Sequence, residues 1–193
     1  SATAFHTRFR DKLQQVNTGD PWLDGPEYTA SDGSLHRYVI YRNFNVDRAT
    51  IKGLELAGDW QVTDTLSARA SWSYTKSAQD TGEYKGFPLA RTPRHMASLR
   101  LDWQTPAADL DVWAAANYHG SEIVGGLRLG RNGEDITING KTGKKYPAWT
   151  TVDLGGSYRV NDTVSLNGAV YNLFDREVRA SEFNTVEEGR RLW

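Results

Sequence analysis

Two stretches of the sequence gather cationic and aromatic side chains outside any apolar-periodic segment. Residues 120–148 hold Arg128, Arg131, Lys141, Lys144, Lys145 and Tyr146, diluted by Glu134 and Asp135. Residues 76–94 hold Tyr84, Lys85, Phe87 and Arg91, and an earlier polar stretch adds Trp22 and Tyr28. Guanidinium and ammonium groups offer charge and N–H donors, while flat rings stack on other rings or on cations. Together they suit capture of a bulky anionic ligand that carries aromatic groups. For any one of these residues an ordinary solvated loop is an equally good account.

Covalent chemistry finds no comparable foothold. There is no Ser-His-Asp set and no paired-carboxylate arrangement, so no catalytic residue is assigned and an enzyme is not expected. The four histidines (His6, His36, His95, His119) lack metal-ligand spacing, and His95 reads as an interfacial side chain. GEDITINGKT resembles a phosphate-binding loop, but Asp135 stands where that motif requires glycine. Asn161-Asp162-Thr163 fits a glycosylation sequon and fits a strand-joining turn equally. No cofactor or resident metal is implied.

The elements that position these loops are strands. Period-two alternation is clearest in LSARASWSYT, where Leu66, Ala68, Ala70, Trp72 and Tyr74 oppose Ser67, Arg69, Ser71, Ser73 and Thr75. Comparable signals predict strands over 2–13, 36–60, 65–75, 95–103, 110–119, 149–160 and 163–173, with a stub at 189–193. A bulge is expected near Asp47-Arg48. The result is eight antiparallel strands, the last incomplete. Their connections alternate: QVTDT, QTPAAD and NDT are short, whereas 76–94 and 120–148 are long. Short turns at one end and long loops at the other is the pattern of an outer-membrane barrel, though a sandwich can also produce it.

Aromatic positions separate the two. On the apolar faces Trp60, Trp103 and Tyr158 lie beside short turns, and Trp72, Tyr74 and Tyr118 lie beside long loops. Leu, Val and Ala fill the band between. Two aromatic rows around an aliphatic band match membrane-interface girdles, whereas a soluble core would place its large rings mid-strand. The opposite face carries Glu55, Asp59, Arg69, Arg100, Asp102, Asp153 and Arg159, which suit bulk water and a polar lumen alike.

Bulk properties exclude several classes. The chain of 193 residues has a net charge of −1 and no cysteine, so disulfide scaffolds and thiolate metal sites are out. That charge balance gives no basic footprint for nucleic acid. No apolar run approaches the roughly 18 residues of a membrane helix, which says nothing about barrel strands. The chain starts at Ser1 without an initiator Met and stops at GRRLW, which reads as the opening of a strand. A segment of a longer protein is therefore expected.

The sequence resembles the C-terminal part of TonB-dependent outer-membrane receptors, nearest to catecholate ferric-siderophore receptors of the enterobactin and colicin I type. The matching pieces keep the family's order: SATAFHTRFRDKL, then NVDRATIKGLELAGDWQVTDTLSARASWSYT, TPRHMASLRLDW, YPAWTTVDLGGSYRVND, VSLNGAVYNLFDRE and EEGRRLW. The resemblance implies a 22-stranded transmembrane barrel in the Gram-negative outer membrane, with residues 1–193 supplying its last eight strands. It implies uptake of a ferric siderophore as transported ligand, driven by TonB and its inner-membrane energy-coupling complex through a plug and TonB box not present here. A colicin or phage stays open as a further partner of the loops. Alternatives are a haem or haemoglobin receptor, a complete eight-stranded structural or adhesive barrel, and a soluble carbohydrate-binding sandwich.

Overall fold

The computed structural model describes residues 1–17, 27–29, 31–37, 41–107, 109–125, 133–177 and 189–193; at 11–17, 36, 37 and 41–47 it describes backbone only. The chain opens with β1 (Ala2–Asn17), the short strands β2 (Glu27–Thr29) and β3 (Leu35–Arg37), and the long β4 (Tyr41–Thr63). Next come β5 (Leu66–Gln79), β6 (His95–Gln104) and β7 (Leu110–His119). Residues 122–146 add β8 (Glu122–Gly125), β9 (Glu134–Ile138) and β10 (Lys141–Tyr146). The chain closes with β11 (Trp149–Arg159), β12 (Ser165–Tyr171) and β13 (Arg191–Leu192).

Eight of these strands form one antiparallel meander in the order β1-β4-β5-β6-β7-β11-β12-β13. They are the eight strands expected from the alternation, and their register keeps its two faces separate. Trp60, Ala68, Leu101, Ala114, Leu154, Val170 and Leu192 pair successively across the sheet. One residue away, on the other face, Asp59, Arg69, Arg100, Ala115 and Asp153 pair in the same way. Because side chains alternate with a period of two, a slip of one residue anywhere would exchange the faces.

The apolar face is left uncovered: Leu99 is 44% exposed, Trp103 44%, Leu154 45% and Trp60 54%. Among the described residues, the other sheets are a β8-β10-β9 sheet and a β2-β3 pair, and neither lies on this face. A contiguous apolar surface of this extent requires a nonaqueous partner. The soluble sandwich, which would bury such a face against a second sheet, is not what forms.

Three local expectations are corrected. The β1–β4 register holds one offset from Ala2↔Leu56 to Asn17↔Tyr41, so there is no bulge near Asp47-Arg48. The irregularity lies instead between Gln61 and Thr63. There Thr63 Oγ1 accepts from the backbone N–H groups of Thr65 (3.3 Å) and Leu66 (3.1 Å), and Gln61 Nε2 donates to Thr63 O (2.7 Å). These side chains satisfy the backbone of a turn reduced to Asp64-Thr65, so strand pairing reaches further than expected.

The second correction is at Asn161. Its Oδ1 accepts from the N–H groups of Thr163 and Val164, each at 2.9 Å, closing a turn that delays β12 to Ser165. The third concerns 120–148, which is no plain loop, since it holds the β8-β10-β9 sheet. Its tip, Asn139-Gly140, has φ of 52° and 76°, the left-handed pair that a two-residue hairpin turn demands.

Candidate functional site

The long connections sit at one rim of the meander, and two of them are locked together. Phe87, in the β5–β6 connection, is fully buried. Its ring occupies the space that side chains on Gly125 of β8 and Gly143 of β10 would fill; a Cβ on Gly125 would lie 2.5 Å from the ring. The segment is anchored to its own strand through Gln79, whose N–H donates to Phe87 O (2.8 Å) and whose carbonyl accepts from Gly86 N (2.9 Å). Ser77 Oγ accepts from Leu89 N at 3.0 Å. Across the two connections, Asn139 Nδ2 donates to Lys85 O (2.9 Å) and Lys141 Nζ meets Glu83 Oε1 (2.8 Å).

This cap holds several of the cation and ring candidates. Tyr84 stands edge-on to Phe87 at 5.8 Å, and burial first, then Glu83, pushes its phenol above the usual tyrosine value. Lys141 is held above the ordinary lysine range by its hydrogen bond and charge pairing with Glu83. Lys144, only 17% exposed in its side chain, pairs with Asp135 at 2.8 Å. Lys145 is exposed beside it. Tyr146, at 1% exposure, is buried against Gly133 and does not face solvent with the others. Arg91 is exposed at the bend of the β5–β6 connection, with φ of 58°, and Tyr28 is exposed on β2. Trp22, Arg128 and Arg131 lie outside the described residues.

The polar face below the cap carries a second set of groups. Arg69 Nε donates to Asp59 Oδ1 at 2.5 Å. Arg69 stands opposite Arg100, which grips Asp102 with Nε and Nη2 at 2.7–3.0 Å. The Arg100 guanidinium also lies 4.5 Å from the centre of the Trp113 ring. Trp113 in turn neighbours Tyr171 at 6.2 Å, and Arg191 covers Tyr171 at 5.3 Å. Gly155 makes room for the Trp113 ring, since a Cβ there would come within 2.6 Å of it. Arg100, Asp102, Trp113 and Tyr171, with Ser157 and Asn167, edge a concavity of about 500 Å³.

Nearer the cap, His119 stacks on Trp149 with ring centres 4.9 Å apart and planes within 3°. His119 Nε2 lies 3.2 Å from Glu122, and among the described residues Trp149 Nε1 is buried without a hydrogen-bond partner. The aromatics Trp113, Trp149 and Tyr171 are residues of this face that the pattern of rims and loops alone does not assign. The signal was available in the pairing parity: each is an aromatic at a position whose strand neighbours two away are polar or small.

On the apolar face, Trp60, Trp103 and Tyr158 stand next to the short turns, and Trp72, Tyr74 and Tyr118 next to the long connections. His95 lies between two of them, 5.8 Å from Trp72 and 5.2 Å from Tyr74. The arrangement offers aromatic and charged recognition surfaces on one face and at one rim.

Comparison with known proteins supplies the family context. The family model described as TonB dependent receptor-like, beta-barrel, matches residues 1–173. The iron-regulated outer membrane virulence protein of Vibrio cholerae is 34% identical over 193 residues, all of this chain and 27% of the relative. The ferric enterobactin receptor of Pseudomonas aeruginosa is 29% identical over 175 residues, 89% of this chain and 22% of the relative. The chain thus spans about a quarter of the length of the curated relatives it matches. Among solved structures, a mutant ferric enterobactin receptor from P. aeruginosa superposes with a TM-score of 0.65 at 24% identity, covering 99% of this chain and 27% of that one. The copper transporter OprC gives a TM-score of 0.66 at 19% identity, covering 100% and 27%. At such identities the likeness is one of fold.

Proposed function

The chain belongs to the TonB-dependent receptor-like β-barrel family, and on that premise we propose that it is the C-terminal barrel segment of a ferric-siderophore receptor. The barrel stands in the Gram-negative outer membrane, with the apolar face toward lipid and the polar face toward the lumen. In this reading residues 1–193 are all barrel, and the plug and TonB box belong to other parts of a longer protein. TonB supplies the energy by acting on those parts. The cap faces the outside, where it meets the cargo, and the chain carries out transport rather than catalysis.

The observation that carries the iron reading is the 34% identity, across all 193 residues, to a relative named for its iron regulation. The preference for a catecholate rests on the cap. A ferric tris-catecholate is a bulky anion surrounded by aromatic rings, and Lys144, Lys145, Tyr84 and Arg91, with Arg128, Arg131, Trp22 and Tyr28, offer complementary charge and ring faces. Tyr146 enters this reading only as a buried support of β10. The six aromatics at the two rims are assigned to the membrane interfaces.

The test uses the full-length receptor. Neutralising Arg128, Arg131, Lys144 and Lys145 to glutamine is expected to weaken ferric tris-catecholate binding by about tenfold or more, since charge-assisted contacts are the strong ones. Tryptophan-fluorescence titration reads the affinity, and heat-shifted gel mobility checks that the barrel is intact. Unchanged affinity in a folded variant rejects this loop as the ligand site. Equal binding of a hydroxamate or a haem rejects the catecholate preference.

A further inference from the structure

The lipid-facing surface of β1, β4 and β5 changes character abruptly near the long-loop rim. Its outward residues Ala2 and Ala4, Leu54 to Trp60, and Leu66 to Tyr74 are all uncharged. The next outward residue on each strand is His6, Lys52 and Lys76, and the three stand side by side, with His6 opposite Lys52 and Lys52 opposite Lys76. One step further Arg8 faces Thr50, and one step beyond that Arg10 faces Arg48. All six basic residues are exposed. The remaining lipid-facing residues of β6, β7, β11 and β12 include no lysine or arginine.

Two features of this patch call for an anion. Like charges directly opposite one another destabilise a sheet, yet Lys52–Lys76 and Arg10–Arg48 are both in direct register. Among the described residues one carboxylate stands close on this surface, Asp80, which accepts from Thr50 Oγ1 at 2.5 Å. Strands are about 4.8 Å apart and like-facing residues about 6.7 Å, so the cations span roughly 10 Å by 13 Å, the size of a phosphorylated sugar headgroup. Lys76 also lines a cavity of about 500 Å³ with Arg94, His95, Tyr118 and Lys145, which continues the basic surface toward β6 and the cap.

The height of the patch names the source of the anion. Directly below it lie the rings of Trp72 and Tyr74, at the depth where aromatic side chains meet lipid headgroups, and below those the aliphatic Leu54 and Leu56. An occupant must therefore present phosphate above and acyl chains beneath. We propose that this surface is a binding site for the phosphorylated glucosamine headgroup of an outer-leaflet glycolipid, gripped by Arg8, Arg10, Arg48, Lys52 and Lys76. The site depends on the membrane orientation of the barrel and not on the identity of the cargo.

The experiment uses the full-length protein in detergent, with bisphosphorylated lipid A and its fully dephosphorylated form as probes and native mass spectrometry as the readout. Wild-type protein is expected to retain the bisphosphorylated lipid and release the dephosphorylated one. The triple variant Arg8→Gln, Lys52→Gln, Lys76→Gln is expected to lose about tenfold or more of that retention, while Lys52→Arg with Lys76→Arg restores it and Lys141→Gln on the cap leaves it unchanged. Equal retention of the two lipids, or by wild type and a folded triple variant, overturns the proposal. If heat-shifted mobility shows that the triple variant does not fold, single Lys76→Gln and Arg8→Gln proteins must each show a several-fold loss, and the absence of any loss overturns it. Displacement of the lipid by millimolar inorganic phosphate would mark a simple anion site and overturn it as well.

Discussion

The barrel wall and the cap are two parts of one chain built for different solvents. In the wall, Leu99, Leu101, Leu154 and Trp103 are exposed, while Arg69 pairs with Asp59 and Arg100 with Asp102 on the opposite, lumenal face. In the cap, Phe87, Leu89, Val124 and Tyr146 are buried and the lysines face outward or pair with carboxylates. These four are most of the six hydrophobic residues buried in the described structure. The wall is thus held by its hydrogen-bonded ladders and by the lipid around it, while the cap has a small core of the aqueous kind. The same substitution should therefore have opposite consequences in the two regions, and the difference can be tested.

The largest effect is expected in the cap. Phe87→Ala removes its central ring and leaves a void between Gly125 and Gly143, at a cost of about 3–5 kcal/mol for a buried aromatic. The loss should be local. Hydrogen exchange in the full-length protein should accelerate at amides 85–89, 123–125 and 143–145 while β5, β6 and β7 stay protected. Acceleration reaching the wall would mean that the two regions fold as one, against the comparison.

A slightly smaller cost, of about 2–4 kcal/mol, is expected in the wall when Leu99→Arg puts a charge toward the bilayer midplane. Ser98→Arg, one residue away and facing the lumen beside Ser71, should cost far less. A lipid-refolding titration measures both. If Ser98→Arg proved as damaging as Leu99→Arg, the assignment of the apolar face to lipid would fail.

The sequence made the wall legible and concealed the cap, for a physical reason. Strands β5, β6 and β11 set Leu, Val, Ala and Trp against Ser, Asp and Arg along most of their length, because one side meets lipid and the other a polar lumen, so the period of two is written in contrast. Strands β9 and β10, EDITI and KTGKKY, are short, rich in charge and glycine, and their apolar partner comes from another connection altogether. Asn139-Gly140 was the one local clue to their hairpin. Gly125 and Gly143 look like loop glycines until Phe87 is placed against them, and Tyr146 looks like an exposed ring until Gly133 is. Contacts distant in sequence leave no periodic trace. The basic lipid-facing patch is hidden in the same way, since His6, Lys52 and Lys76 become neighbours only through the register.

The subtlest difference between the regions lies in titration, and the cap supplies the probe. Tyr84 is held above the ordinary tyrosine value by burial and then by Glu83, with Lys141 pulling the other way. An acid whose folded-state value is raised gives the cap stability that is complete below the unfolded value, about 10, and fades as pH rises through the folded one. The raised value of Lys141 has the same sign, so alkali should loosen the cap before it touches the wall. The phenolate absorbance of wild type minus Tyr84→Phe should therefore titrate above free tyrosine. Glu83→Gln should bring that midpoint down, and Lys141→Met should push it further up. A midpoint at or below that of free tyrosine would place Tyr84 in water, away from Phe87, and leave the cap without the core that sets it apart from the wall.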